Sequence, residues 1–138
     1  MESFHYLLMK TYLRMNRKVH AQASKLGLTS GQPKILEFLS LYGENEQKVI
    51  AEYCEIEPAT VGSILLRMEA AGLVLRRNRE GNRRSVYVSL TDKGKEMAEK
   101  LKGIFLTAEE EIAGELTGEE LKTMVELLKK CQKEKKED

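Results

Sequence analysis

The chain has 138 residues, 41% of them hydrophobic and 33% charged, with two prolines and a formal net charge of +1. That is enough apolar material for one core, and too little low-complexity sequence for extended disorder. No run approaches the roughly 18 apolar residues of a membrane span, and the apolar stretch from Phe4 to Met9 is cut off by Lys10 and Arg14 with no small-residue cleavage site after it, so neither a membrane helix nor a signal peptide is expected.

Residues 4–25 are predicted to form a helix: Phe4, Leu8, Tyr12, Met15 and Val19 recur at three- and four-residue spacing without Gly or Pro. Tyr6, Leu7, Met9 and Leu13 add a second apolar surface, so this helix must bury more than one side, one of them against another chain. Gly27 ends it. Thr29-Ser30-Gly31-Gln32 offers a Thr-x-x-Gln capping box to a second helix carrying Ile35, Leu36, Phe38, Leu39 and Leu41, with Pro33 in the first turn and a stop near Gly43.

Gln47 to Cys54 reads as a short third helix with Val49, Ile50, Tyr53 and Cys54 apolar, and Ala51 small enough for another helix to cross closely. After the turn Glu55-Ile56-Glu57, Pro58 opens a fourth helix whose stripe is Val61, Ile64, Leu65 and Met68. Its other face carries Ala59, Thr60, Gly62, Ser63 and Arg67, small side chains with one cation near the far end. A glycine inside an exposed helix costs about 1 kcal/mol relative to alanine, so Gly62 implies that something approaches the backbone closely.

Arg76 to Arg84 hold five arginines in nine positions, set between Leu73-Val74-Leu75 and Val86-Tyr87-Val88-Ser89-Leu90. Glu80-Gly81-Asn82 supplies a turn, which predicts a β-hairpin with a cationic tip. Between Leu73 and Lys95, seven Lys or Arg face only Glu80 and Asp92. The balancing acid sits elsewhere, at Glu44, Glu46, Glu52, Glu55 and Glu57 and in a second group from Glu109 to Glu120. A solubilising surface mixes both signs; segregation of this kind leaves one positive face for a polyanion, and the planar, permanently charged guanidinium suits phosphate forks and narrow minor grooves. The pattern points to DNA.

Leu90-Thr91-Asp92-Lys93-Gly94 then leads into a long helix to about Ala113, with Met97, Leu101, Ile104, Phe105, Ala108 and Ile112 as its stripe. Thr117-Gly118-Glu119-Glu120 is a Thr-x-x-Glu capping box opening a last helix with Leu121, Met124, Val125, Leu128 and Cys131 on its apolar face and a lysine-rich end from Lys129 to Lys136. His5 and His20 lie fifteen residues apart and Cys54 and Cys131 have no Cys-x-x-Cys, so no metal, cofactor or catalytic constellation is expected, and the reducing cytoplasm is the expected compartment. Cys54, at an apolar helix position, is expected to be a buried, inert thiol.

This order of elements resembles the MarR family (multiple antibiotic resistance regulators). The family's wing pattern is Asp-x-Arg, a strand, then Leu-Thr-x-x-Gly; here Asn82-Arg83-Arg84 leads through Val86 to Val88 into Leu90-Thr91-Asp92-Lys93-Gly94, and Ala70-Ala71-Gly72-Leu73-Val74 is similar to the family's helix-end glycine before the first wing strand. The resemblance implies a mainly α (α+β) fold in one unit, 1–138: a winged helix-turn-helix lobe at about 29–91, with dimerisation helices at about 4–25 and 92–135. It implies a homodimeric, ligand-responsive regulator that binds double-stranded DNA at a pseudo-palindromic operator, a repressor in most of the family. Ala59, Thr60, Gly62 and Ser63 would enter the major groove, Arg67 would lie near the backbone, and Arg79, Arg83 and Arg84 would meet the minor groove or its phosphates. The implied effector is a small, often aromatic molecule between the dimer helices and the DNA-binding lobe. Three residues depart from the family pattern. Asn82 replaces an Asp that braces the wing arginine, Ser63 stands where a basic residue is common, and Glu55 stands where Gly is common, which demands either a left-handed conformation or a different turn. The competing expectation is a winged-helix adaptor that uses its acidic and apolar surfaces to bind protein and never reads DNA.

Overall fold

In chain order the elements are α1 (Phe4–Lys25), α2 (Gln32–Tyr42), β1 (Asn45–Glu46), α3 (Gln47–Cys54), α4 (Pro58–Ala70), β2 (Val74–Arg79), β3 (Asn82–Leu90), α5 (Asp92–Ala113) and α6 (Gly118–Cys131). They are taken from a computed structural model that describes residues 1–79 and 81–133, with the backbone alone at 82 and 83. The strands form one antiparallel sheet in the order β1-β3-β2. Ile35 and Leu36 of α2, Ile50 of α3, Val61, Leu65 and Met68 of α4, Val74 and Val88 of the sheet and Leu101 of α5 are fully buried together.

Each helix boundary has a local cause. Ser3 accepts the Tyr6 N–H to start α1, and at the other end Leu28 N–H returns to the Ala23 carbonyl as Gly27 turns left-handed at φ +80°. The box expected at Thr29 forms by half: Gln32 Oε1 accepts the Thr29 N–H at 3.0 Å, but the cap of α2 is Gly31, and no side chain caps that helix. Gly31 sits at φ +86°, and a Cβ there would stand 2.6 Å from Ile64 Cδ1, so the close seat of α2 on α4 moves the helix start past Thr29. Glu55 adopts the left-handed conformation, φ 55° and ψ 44°, and Ile56 N–H closes α3 onto the Ala51 carbonyl. The box at the start of α6 forms in full, with Thr117 and Glu120 each accepting the other's backbone N–H.

The hairpin departs from expectation in two ways. Its strands run through the arginine stretch, β2 to Arg79 and β3 from Asn82, so Arg76, Arg77 and Arg79 are strand residues and do not belong to the tip. Regular pairing holds from Val74↔Leu90 to Asn78↔Val86 and then shifts to Arg79↔Asn82; Glu80 lies outside the described residues. In addition β1, which has no hydrophobic pattern of its own, pairs Asn45 with Val88 and Glu46 with Tyr87 and widens the wing to three strands.

The Leu-Thr-x-x-Gly segment ties the wing to α5. Thr91 Oγ1 accepts the Gly94 N–H at 3.0 Å to cap the helix while donating to the Gly72 carbonyl at 2.6 Å, and Lys93 Nζ donates to the Ala71 carbonyl at 2.7 Å. Beyond the lobe, burial is sparse. In α1 only Val19 and Ala23 are buried, Phe4 is 70% and Tyr12 53% exposed, and α6 has no buried residue. Lys18 and Glu111 bridge α1 to α5 at 2.6 Å.

Candidate nucleic-acid interface

A helix advances 100° per residue, and Val61, Ile64, Leu65 and Met68 fix which side of α4 is inward. Opposite that stripe lie Ala59, Ser63 and Leu66, at i, i+4 and i+7, all exposed. Thr60 and Arg67 are exposed on the flank toward α1. Gly62 is half-buried on the other flank, where an added Cβ would meet Gln47 Nε2 at 3.2 Å. The group that approaches the Gly62 backbone is therefore the first side chain of α3. Leu66, 59% exposed in the middle of the outward face, was not among the residues expected there; its spacing from Ala59 is the signal that would have found it.

Gln47 also reaches the wing. Its Oε1 accepts from Arg76 Nη2 at 3.1 Å, which ties α3 to β2, and Arg76 Nε is buried with no hydrogen-bond partner among the described residues. Arg77 pairs with Glu44 at 2.9 Å, which holds its guanidinium firmly in the charged form. The Tyr87 hydroxyl donates to Glu46 Oε1 at 3.1 Å, and this bond pushes its pKa up. The Arg79 guanidinium stacks 4.0 Å from the centre of the same ring. Arg84 is exposed, and the Arg83 side chain lies outside the described residues. The wing thus does not offer five equivalent cations, because β1 brings Glu44 and Glu46 against it.

Between α1, α2 and α4 opens a cavity of about 590 Å³, in which Tyr12, Asn16, Arg17, His20 and Lys34 face Thr60, Ser63 and Arg67. It is large enough for one small molecule. Its lining carries Arg17, Lys34 and Arg67 and no carboxylate.

Cys54 is buried, as its position suggested, and burial pushes its thiol up to about 11, with nearby Lys34 opposing and Glu37 adding to the shift. Cys131 is exposed. Among the described residues no group of three or more His, Cys, Asp or Glu could hold a metal, and no helix is long and apolar enough to cross a membrane.

The MarR family model matches residues 28–86, the span from the start of the lobe into β3. The HTH-type transcriptional regulator YwoH of Bacillus subtilis (strain 168) is 32% identical over 104 residues, 75% of either chain. The HTH-type transcriptional repressor Rv2887 of Mycobacterium tuberculosis (strain ATCC 25618 / H37Rv) is 26% identical over 125 residues, 91% of this chain and 90% of the relative. The structure of Bordetella bronchiseptica BpsR, a protein whose DNA binding is regulated by 6-hydroxynicotinic acid, superposes with a TM-score of 0.83 at 27% identity, covering 96% of this chain and all of the other. With a three-stranded wing behind a helix-turn-helix and these similarities along most of its length, the chain belongs to the MarR family of transcriptional regulators.

Proposed function

We propose that the protein is a homodimeric, ligand-responsive repressor that binds double-stranded DNA at a pseudo-palindromic site. The observation that carries the reading is the cavity shared by α1 and α4: Thr60, Ser63 and Arg67, expected at the DNA, line the same space as Arg17, His20 and Lys34. A small anionic aromatic molecule there would draw on the charge of Arg67 and press the lobe away from α1, shifting the spacing of the two recognition helices from one turn of DNA. The effector of BpsR and the repressor role of Rv2887 support this direction. Dimerisation follows from the apolar surfaces that a single copy leaves open, Phe4 to Leu13 on α1 and Leu121 to Leu128 on α6.

In this reading Ala59 and Ser63 enter the major groove with Thr60 and Gly62 at its walls, Arg67 approaches the backbone, and Arg79, Arg83 and Arg84 meet the minor groove or its phosphates. The test is fluorescence anisotropy of a labelled random-sequence duplex at low salt, with light scattering on the same sample. Binding by a species of twice 15.7 kDa is expected, together with release by an aromatic carboxylate such as 6-hydroxynicotinic acid. A monomer that ignores duplex DNA at low salt would instead favour the adaptor.

A further inference from the structure

The outermost line of α4 is unusual for a surface that meets nucleic acid, since Ala59, Ser63 and Leu66 carry no charge and the bulkiest of them is aliphatic. Leu66 is 59% exposed. The occupant of this face is indicated by its surroundings: the wing in the same lobe presents exposed Arg79 and Arg84, which attract a polyanion and would bring its grooves against α4. Within the major groove, purine edges and cytosine present hydrogen-bonding groups, and an aliphatic side chain pressed against them leaves those groups unpaired. The C5-methyl of thymine is the apolar exception.

Resting on the DNA-binding reading above, we propose that Leu66 is a specificity-determining residue that selects thymine by packing on its methyl group. Ala59 and Ser63 are small enough for α4 to seat deeply, and the hydroxyl of Ser63 is already turned back to the Ala59 carbonyl at 3.4 Å. Leu66 lies seven residues beyond Ala59, about 10 Å along the axis at 1.5 Å per residue, so it meets a base some three steps from the one at the helix start. Sequence choice along this face therefore comes from methyl contacts, and hydrogen bonding contributes from the flank, through Thr60.

The test takes duplexes selected by the wild-type protein from a random pool and resynthesises them with deoxyuridine in place of each thymidine in turn. At one or two positions the loss of the methyl should weaken wild-type binding about fourfold, the equivalent of ~0.8 kcal/mol for one buried methyl. Leu66→Ala, a surface change, should bind thymidine and deoxyuridine duplexes equally at those positions, with an unchanged salt slope and unchanged thermal unfolding. If deoxyuridine weakens both proteins alike, the methyl acts through DNA shape and the contact is refuted; if it weakens neither, no methyl is read. A wild-type protein that retains no duplex from the pool overturns the DNA-binding reading itself, an outcome distinct from both.

Discussion

Gly94, in the first turn of α5, lies so close to Leu73 at the root of the wing that a Cβ built on it would overlap the Leu73 carbonyl oxygen and come within 3.1 Å of the carbonyl carbon. Both obstacles are backbone, so the clash cannot be relieved by rotating a side chain. Gly94→Ala should cost about 3 kcal/mol, lowering the urea midpoint and loosening the wing from α5. Gly103 is the contrast: it is exposed in the same helix with nothing within 4 Å of an added Cβ. Gly103→Ala should stabilise by up to about 1 kcal/mol, the ordinary helix preference. Equal effects of the two changes would refute the packing argument.

Glu55 holds a left-handed conformation at the end of α3, which costs a residue with a Cβ roughly 1 kcal/mol. Its side chain is exposed. Glu55→Gly should therefore raise stability by about 1 kcal/mol, less the entropy that glycine gains in the unfolded chain. Denaturant melts of the two proteins decide it, and a loss of stability would mean that the Glu55 side chain makes an energetic contact.

The wing arginines should separate into classes. Arg76→Ala removes the hydrogen bond to Gln47 inside the lobe and should destabilise by about 1–2 kcal/mol. Arg77→Ala breaks an exposed, solvent-screened pair with Glu44 and should leave stability almost unchanged. Arg84→Ala, at an exposed position of β3, should lower the salt slope of DNA binding by about one. An equal change of slope in all three variants would show that the internal partners of Arg76 and Arg77 do not hold against phosphate.

Cys54 has its thiol raised to about 11 by burial, from an ordinary value of 9.0. The folded form thus favours the neutral thiol; stability is unaffected below pH 9 and falls as the pH rises from there toward 11. At neutral pH a thiol reagent should label Cys131 at once and Cys54 only on unfolding, and peroxide should leave DNA binding unchanged. Release of the protein from DNA by peroxide, abolished by Cys54→Ser, would identify a sensor.

Glu37 lies in the groove between α2 and α5, where Glu99, Lys102 and Glu109 also face it. Burial first, and the charge of Glu109 second, raise its pKa above the carboxylate value of 4.5. Below that value both folded and unfolded forms are protonated, and stability is lost as the pH climbs through the raised folded pKa. Glu37→Gln should melt higher than wild type at pH 7 and level with it at pH 4; the reverse order would show that the ionised carboxylate is stabilised in place.

Much of the fold could be read along the chain because its causes are local. The α1, α4 and α5 stripes repeat at helical spacing, and Thr117 and Glu120 cap α6 within one turn. The limits of the hairpin were harder. Arginines have no clear strand signature, and the pairing that extends β2 to Arg79 depends on β3 and, through it, on the two residues of β1.

By itself the sequence determined which residues are helical, which side of α4 is inward, where the wing lies, and that positive charge gathers there, since each follows from periodicity, caps and composition. The use made of that charge was decided by tertiary structure. Gln47 and Arg76 stand 29 positions apart, and Glu44 and Arg77 stand 33; no local pattern pairs them, and the return of β1 onto β3 brings Glu44 and Glu46 to the wing. The same holds for Gly62, whose close neighbour Gln47 belongs to another helix. Identity and spacing state what a side chain can do, but its partner is set by the packing of segments distant in the chain, which hydrophobic burial drives and local pattern does not encode.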